Sequence, residues 1–438
     1  MIFITTQALQ TAILAGGFDS RLLELYHQDQ LEPQRVRYAG LAGTFSTQFH
    51  ENRAPMFFSA PGRTELAGNH TDHQHGRVLA GAVTLDAVAA ALPCKGHTIT
   101  LHSAGYSPVC ISIDDLKIHP EEKNTTAALL RGMAAGFQNR GAAIGGAVIS
   151  VASDVLSGSG LSSSACFEVL IGCIFNELFF GGTCTAEEIA QIGQYAENVY
   201  FGKPSGLMDQ TACAVGGCVA IDFKNPEHPV IEPVGFSPAQ AGYALVIIDS
   251  GADHADLTED YASIPQEMKK AAAVFGKTVL RDVDPALLFT NAGKIRQAAG
   301  DRAFLRAVHF LNENERVLSM TNALRQRDIP AFLTGVRASG ASSWELLQNI
   351  YSDRTPQKQA LAVALTAAAH VLSGEGAVRV HGGGFAGTIQ AYVPFLNCTP
   401  FVRQCGILSN EWGVILCQKE YQTNGIHQSS SKKLWKLW

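Results

Sequence analysis

One segment constrains the fold of this chain more than any other, a glycine- and serine-rich stretch between an apolar strand and an apolar helix. The strand is predicted over residues 147–151 and the helix over residues 164–180, and the stretch that opens the helix reads Ser157-Gly158-Ser159-Gly160-Leu161-Ser162-Ser163-Ser164. Glycines let a ligand approach the backbone, and the N–H groups and dipole of a helix start favour phosphate. The pattern therefore predicts a phosphate-binding loop. It is not a Walker loop, and a helix cap with a flexible lead-in is the alternative.

A second polar segment follows a predicted strand at residues 57–60. It reads Pro61-Gly62-Arg63-Thr64-Glu65-Leu66-Ala67-Gly68-Asn69-His70-Thr71-Asp72-His73. Clustered carboxylate and imidazole groups on a loop suit the hydroxyls of a sugar. A histidine metal site or an ordinary polar surface loop are the alternatives, and the spacing matches no recognised zinc pattern.

Two further segments place polar or flexible residues at the ends of predicted elements. In the first, Glu197 precedes Gly202-Lys203-Pro204-Ser205-Gly206-Leu207-Met208-Asp209-Gln210, so that Asp209 is either a helix cap or a general base. In the second, a strand runs into His381-Gly382-Gly383-Gly384-Phe385. Three adjacent glycines are costly in conformational entropy, which backbone close to a ligand would explain.

Composition excludes several classes of protein. Of the 438 residues, 46% are hydrophobic and only 16% charged, which is the reverse of a disordered chain. With 33 Lys and Arg against 39 Asp and Glu and no basic run, we expect no nucleic-acid or membrane partner. The ten cysteines form no C-x-x-C pair, and those in apolar context (Cys166, Cys173 and Cys213) are predicted to be buried thiols of a cytoplasmic protein.

The order of elements predicts an α+β protein. Residues 1–50 are predicted to be helical, short strands follow from residue 57, and long helices occupy most of residues 256–372 before a last strand region at 378–393. The apolar run at 78–94 is predicted to be a strand followed by a helix. The proline-rich segment 225–242 is predicted to connect two domains, 1–235 and 236–438, with an atypical tail after about residue 394 that packs poorly.

In this order the four segments resemble the GHMP small-molecule kinases, and most closely the galactokinases. Residues 61–72 look like the galactokinase signature, 158–165 like the phosphate loop and 381–387 like the third, glycine-rich motif. The segment Gly206-x-Met208-Asp209-Gln210 is similar to the one that bears the catalytic aspartate, and Leu257-x-x-x-Tyr261 resembles the region that supplies a tyrosine to the sugar pocket. The match covers residues 55–394.

The resemblance implies a two-domain fold with the active site in the cleft and MgATP-dependent phosphorylation of the anomeric hydroxyl of galactose. Asp209 would take or orient the hydroxyl proton, and Arg63 would stabilise its carboxylate. The implied sugar-binding residues are Asn69, His70, Asp72, Gly206 and Tyr261.

The same resemblance implies a nucleotide and a metal site. Mg²⁺ would be held by Ser163 or Ser164 together with Glu197. The residues implied to bind ATP are Gly158, Ser159, Gly160, Leu161, Ser162, Ser163, Ser164, Gly383 and Gly384. The partners expected are the sugar and ATP, and the chain is expected to be a monomer or a weak homo-oligomer.

Two departures from the family pattern bear on the sugar. Galactokinases have Asn where this chain has Glu65, and Glu, facing the C6 hydroxyl, where it has Asn69. A neutral residue 69 would relax discrimination at C6, so Asn69→Glu is expected to improve kcat/KM for galactose. A kinase for a related sugar such as galacturonate is one alternative. A non-catalytic sugar sensor is the other, although the serine-rich loop, Glu197 and Asp209 are all present.

Overall fold

The computed structural model describes residues 5–155, 160–203, 205–236, 240–252, 257–408 and 413–416. Its strands are β1 (Met56–Ala67), β2 (Arg77–Cys94), β3 (Thr98–Ser103), β4 (Val109–Ser112), β5 (Gly146–Ser153), β6 (Cys218–Asp222), β7 (Val230–Pro233), β8 (Tyr243–Asp249), β9 (Ala377–Val380), β10 (Thr388–Pro394) and β11 (Gly413–Leu416).

The α-helices surround two sheets built from these strands. They are α1 (Thr6–Leu14), α2 (Asp19–Leu25), α3 (Leu31–Phe49), α4 (Thr126–Asn139), α5 (Ser163–Phe179), α6 (Ala186–Tyr195), α7 (Met208–Val215), α8 (Thr258–Ala273), α9 (Pro285–Thr290), α10 (Ala292–Ala299), α11 (Asp301–Arg325), α12 (Ile329–Ser342), α13 (Ala360–Leu372) and α14 (Phe395–Leu408). The predicted α+β class is confirmed. No described helix is both long enough and apolar enough to cross a membrane.

The larger sheet has the strand order β4-β3-β5-β2-β6-β7, with β1 paired to β2. The β3–β5 pair is parallel and the other pairs are antiparallel. Strand β7 lies inside the proline-rich segment 225–242, so this stretch pairs with the sheet rather than serving only as a link. The domain boundary itself stays a prediction.

Strand β2 corrects the expectation for residues 78–94, which lie within one strand of 18 residues and form no helix. Successive side chains of a strand point to opposite faces. Here Ala87, Ala89 and Ala91 pack in the main core, while Val88, Ala90 and Leu92 pack in a second core against α1–α3. Because both faces of the strand are buried, apolar and polar residues do not alternate along it. Its many alanines are also typical of a helix, which explains the incorrect prediction.

The smaller sheet has the order β11-β8-β10-β9 and also packs on both faces. In β8, Leu245 and Ile247 belong to the main core, whereas Ala244, Val246 and Ile248 belong to a core with α13 and α14. Phe401 and Cys405 of α14 are buried in that core. The predicted poor packing of the tail therefore does not hold at these two residues, whereas Leu396 on the same helix is 94% exposed. Residues 409–412 and 417–438 of the predicted tail lie outside the described part of the chain.

Candidate active site

An arginine–aspartate pair forms the centre of the site. Strand β1 changes register between Pro61 and Arg63, and the Arg63 N–H donates to the carbonyl oxygen of Leu161 at 3.0 Å. The guanidinium donates from Nε to Oδ1 of Asp209 at 2.7 Å and from Nη2 to Oδ2 at 2.6 Å. Its Nη1 donates to the Gly160 carbonyl at 2.5 Å. This two-pronged geometry is the strong form of an arginine–carboxylate contact.

Asp209 lies in the first turn of α7 and is held in the ionised form. Burial alone would raise the pKa of its carboxyl, but the charge and hydrogen bonds of Arg63 and a hydrogen bond from Ser162 outweigh burial and lower the pKa. The Ser162 hydroxyl donates to Oδ2 at 2.6 Å. The Asp209 side chain keeps 26% of its surface exposed, so a substrate can still reach the carboxylate.

A second carboxylate, Asp72, stands close to the first. Burial, and next the negative charge of Asp209, raise the pKa of Asp72 to about 7. Its Oδ1 accepts from the His73 N–H at 2.8 Å. Its Oδ2 lies where a β-carbon on Gly206 would sit, 1.7 Å away, so residue 206 must be glycine for Asp72 to lie there.

His70 and Tyr261 lie together beside the glycine-rich loop. Their ring centroids are 5.2 Å apart. Burial lowers the pKa of His70 to about 4, so the ring is neutral. Since a carbonyl only accepts, His70 Nε2–H donates to the Gly383 oxygen at 3.0 Å, and Nδ1 is left to accept from Nε2 of His73 at 3.3 Å. A β-carbon on Gly383 would overlap the Tyr261 hydroxyl.

Asn69, like His70, is a predicted sugar ligand whose polar side-chain atoms all have partners within the protein. The residue has no exposed surface. Its Nδ2 donates to Glu65 Oε1 at 3.1 Å and to the Gly382 carbonyl at 2.7 Å. Its Oδ1 accepts from Asn349 Nδ2 at 2.9 Å and from Ser343 Oγ at 3.3 Å. The expectation that Asn69 contacts the sugar directly therefore finds no free polar atom to support it.

The described part of the predicted phosphate loop lies against the same centre. Gly160 adopts a positive φ of 73° and abuts Thr388 and His381, while Ser162 has a φ of 60°. Helix α5 begins at Ser163, and no side chain caps its N-terminus among the residues the structure describes. Such a start leaves N–H groups for an anionic ligand. Gly158 and Ser159 lie outside the described residues.

The residues predicted to hold magnesium are also brought together. The Ser164 hydroxyl donates to Glu197 Oε1 at 3.0 Å, and Glu197 is buried. The Lys203 ammonium donates to the same oxygen at 2.8 Å, so a cation already stands at this carboxylate. Hydroxyl and carboxylate oxygens are ligands that Mg²⁺ accepts alongside water and phosphate oxygens, so the two side chains offer the types of donor atom that the ion takes. Ser163, next to them, starts α5.

Sequence reasoning gave no role to several residues that the structure places here. Lys203 pairs with Glu197, and Arg379 Nη2 donates to Glu65 Oε1 at 2.5 Å. Asn349 Nδ2 reaches the Gly383 carbonyl at 3.0 Å. Lys203 is the only basic residue in the sequence between Glu197 and Asp209, and this position could have marked it as a residue of the site. No local pattern marks Asn349 or Arg379, because their partners lie far away in the sequence.

Comparison with family models gives two matches. The model for the GHMP kinases N terminal domain matches residues 126–217, which include the phosphate loop and Asp209. The model for the galactokinase galactose-binding signature matches residues 43–93, which include Arg63 and Asp72.

Similar proteins agree with these matches. The chain is 31% identical over 356 residues to a galactokinase of Streptomyces coelicolor, covering 80% of this chain and 88% of that protein. It is 33% identical over 364 residues to a galactokinase of Actinobacillus pleuropneumoniae, with the same shares covered.

Solved structures show the same fold at lower sequence identity. Lactococcus lactis galactokinase, solved with galactose, aligns with a TM-score of 0.76 and 22% identity over 88% of this chain and 97% of that chain. Methanococcus jannaschii mevalonate kinase aligns with a TM-score of 0.58 and 13% identity over 83% and 97%. The predicted two-domain GHMP kinase architecture is confirmed.

Proposed function

The chain belongs to the galactokinase family of GHMP kinases, and from this we propose that it transfers the γ-phosphoryl group of MgATP to the anomeric hydroxyl of galactose. The products are galactose 1-phosphate and ADP. The proposal makes the chain an enzyme rather than a sensor, with a small sugar and ATP as its partners.

The observation that carries the proposal is the Asp209 carboxylate held by Arg63 and Ser162. It accepts three hydrogen bonds, of 2.7, 2.6 and 2.6 Å, and stays partly exposed. An ionised carboxylate fixed in this way orients a hydroxyl group and accepts its proton as the oxygen attacks phosphorus. Arg63, still paired to Asp209, contributes positive charge where the transferring group becomes more negative.

We assign the sugar side of the site to His70, Asp72 and Tyr261, with Gly206 leaving room for Asp72. A carboxyl group with a pKa near 7 both accepts and donates hydrogen bonds at neutral pH, which suits sugar hydroxyls. The Tyr261 hydroxyl and ring offer a polar edge beside an apolar face, and the neutral His70 packs against that ring. Asn69 is assigned to the layer behind these residues.

We assign the nucleotide side to the loop at 158–164 and the start of α5, whereas Gly383 and Gly384, also predicted to bind ATP, contact Tyr261 and Asn349. Ser164 and Glu197 would hold Mg²⁺, with Ser163 beside them. When bound, the ion neutralises charge on the phosphates of ATP. The chain's own part is to hold the Glu197 carboxylate in place, since Ser205 Oγ at 2.5 Å and Gln210 Nε2 at 2.9 Å both donate to its Oε2.

A coupled assay of ADP release tests this function across galactose, its C2, C4 and C6 variants, glucose and galacturonic acid. We expect turnover that depends on both ATP and Mg²⁺ and is greatest with galactose, with phosphorus-31 NMR assigning the product as the 1-phosphate. Faster turnover of galacturonic acid than galactose, or a product phosphorylated elsewhere on the ring, would contradict the proposal.

A further inference from the structure

A buried polar cluster lies directly behind the proposed sugar site and is centred on Asn69. The Asn69 amide ties together three parts of the chain, since it donates to Glu65 on β1 and to the Gly382 carbonyl and accepts from Asn349. The backbone is held as well, because His309 Nε2 donates to the Asn69 carbonyl at 2.9 Å. All four hydrogen-bonding positions of the side-chain amide are occupied.

The charge of this cluster is balanced only while residue 69 is neutral. Glu65 and Arg379 form an ion pair with side-chain exposures of 4% and 0%. Asn69 Nδ2 lies 3.1 Å from Glu65 Oε1, the same oxygen that accepts a hydrogen bond from Arg379 Nη2. A carboxylate at residue 69 would therefore face the Glu65 carboxylate and the Gly382 carbonyl, and Arg379 is the one described guanidinium that is hydrogen-bonded to Glu65.

The cluster fixes the glycine loop that supports the sugar-facing residues. Asn69 holds the Gly382 carbonyl, and Asn349 and His70 hold the Gly383 carbonyl, each at 3.0 Å. Gly383 also packs against the Tyr261 hydroxyl. A shift of this loop must therefore move His70 and Tyr261 together.

We propose that Asn69 is a positioning residue for the sugar site, and that Glu65 and Asn69 form one unit in which acid and amide can be exchanged only together. The proposal rests on the proposed function for the identity of the sugar. It reverses the expectation from sequence, because Asn69→Glu alone harms the site. Nε and Nη1 of Arg379 are buried and have no partner among the described residues, so this guanidinium keeps donors for a second acceptor in the cluster.

A double-mutant cycle tests the unit with Glu65→Gln, Asn69→Glu and the combined variant. Calorimetric titration of galactose without nucleotide gives Kd, and thermal unfolding gives Tm. For Asn69→Glu we expect Kd to rise at least about tenfold and Tm to fall by about 5 °C or more, while the Kd of a non-hydrolysable ATP analogue changes less than about twofold. The combined variant recovers galactose Kd to within about threefold of wild type.

The matched control is Asn397→Glu. Asn397 also donates to a glutamate, Glu375, at 2.5 Å, but this pair lies at the surface, where solvent screens like charges. The control should leave Tm and both Kd values unchanged. Asn69→Leu replaces Asn69→Glu in the test if the latter does not fold, because it removes the amide contacts without adding charge. We expect Asn69→Leu to weaken galactose binding but not nucleotide binding.

Strictly additive effects in the cycle, or wild-type galactose affinity in both Asn69→Glu and Asn69→Leu, would overturn the proposal. If the wild-type chain binds no galactose, the proposed function fails. The Glu65–Asn69 unit is still decided in that case, because Tm of the four proteins reports the coupling without any sugar.

Discussion

Two carboxylates a short distance apart have opposite surroundings. Asp209 accepts three hydrogen bonds and its pKa is lowered, whereas Asp72 accepts one described backbone bond and has a pKa raised to about 7 by burial and by the charge of Asp209. Environments that push two pKa values apart assign a charged and a partly protonated role to the same chemical group. Asp209 is thus suited to orient a nucleophile and Asp72 to share hydrogen bonds with a sugar.

The raised pKa of Asp72 makes a stability prediction. The folded protein holds a proton that the unfolded chain releases, so this stabilisation is complete below about pH 4 and is lost as pH rises through about 7. Asp72→Asn keeps the bond from His73 but removes the titration. We expect the unfolding free energy of wild type to fall by about 2–3 kcal/mol relative to that of the variant between pH 5 and pH 8.

Urea unfolding at the two pH values measures this difference. Asp29→Asn, at an exposed aspartate, is the control and should follow wild type at both. Parallel curves for wild type and Asp72→Asn would show that Asp72 is ionised throughout.

Gly206 gives a prediction about shape. A β-carbon there would lie 1.7 Å from Asp72 Oδ2, so Gly206→Ala must displace this carboxylate. We expect the galactose KM to rise at least about tenfold with ATP KM little changed, because only the sugar side loses a hydrogen-bonding group. Gly235→Ala is the matched control, since a β-carbon at Gly235 meets nothing within 4 Å. An unchanged galactose KM in Gly206→Ala would remove Asp72 from the sugar site.

The sequence predicted the chemical role of single residues better than the direction in which their side chains point. The structure brings Arg63 to Asp209 and Ser164 to Glu197, as the motifs indicated. Asn69 follows a glycine with a φ of 99°, and the direction of a side chain after such a turn depends on what packs against it. Its partners on the glycine loop are more than 300 positions away, which no local pattern reveals.

At the scale of elements, periodic segments were predicted well and doubly buried ones were not. Helix α5 was predicted over residues 164–180 and spans Ser163–Phe179. Strand β2 was predicted to end in a helix because both of its faces are apolar. Whether such a run is strand or helix is decided by its partners, here β1, β5 and β6.

We expect the helices α1–α3 to stabilise β2 without affecting substrate binding at the active site. Phe45 on α3 has no exposed surface and lies in the same core as Val88 and Ala90. We expect Phe45→Ala to lower the unfolding free energy by about 3–5 kcal/mol while the galactose KM at 20 °C stays within twofold. Val36→Ala, on the same helix but 58% exposed, should change neither quantity. A large change of KM in Phe45→Ala would connect these helices to the site.

At the scale of the whole molecule, residues from distant parts of the chain assemble one site. Glu313 Oε1 on α11 accepts from the Gly68 N–H at 3.0 Å, and Gln390 Nε2 on β10 donates to the Glu65 carbonyl at 3.1 Å. The signature segment, residues 61–72, is therefore fixed by elements of the C-terminal half. The two-domain family fold supplies this arrangement, and local sequence supplies only the groups that it brings together.

The most direct test of the account is the effect of Asp209→Asn on galactose-dependent ADP formation, measured together with galactose affinity by calorimetry. Asn keeps the size of the side chain but cannot accept the hydroxyl proton as a carboxylate does. We expect kcat to fall by about 10²-fold or more while galactose Kd changes less than about fivefold. Near-wild-type turnover in the variant would contradict the central claim that Asp209, held by Arg63, acts on the attacking hydroxyl.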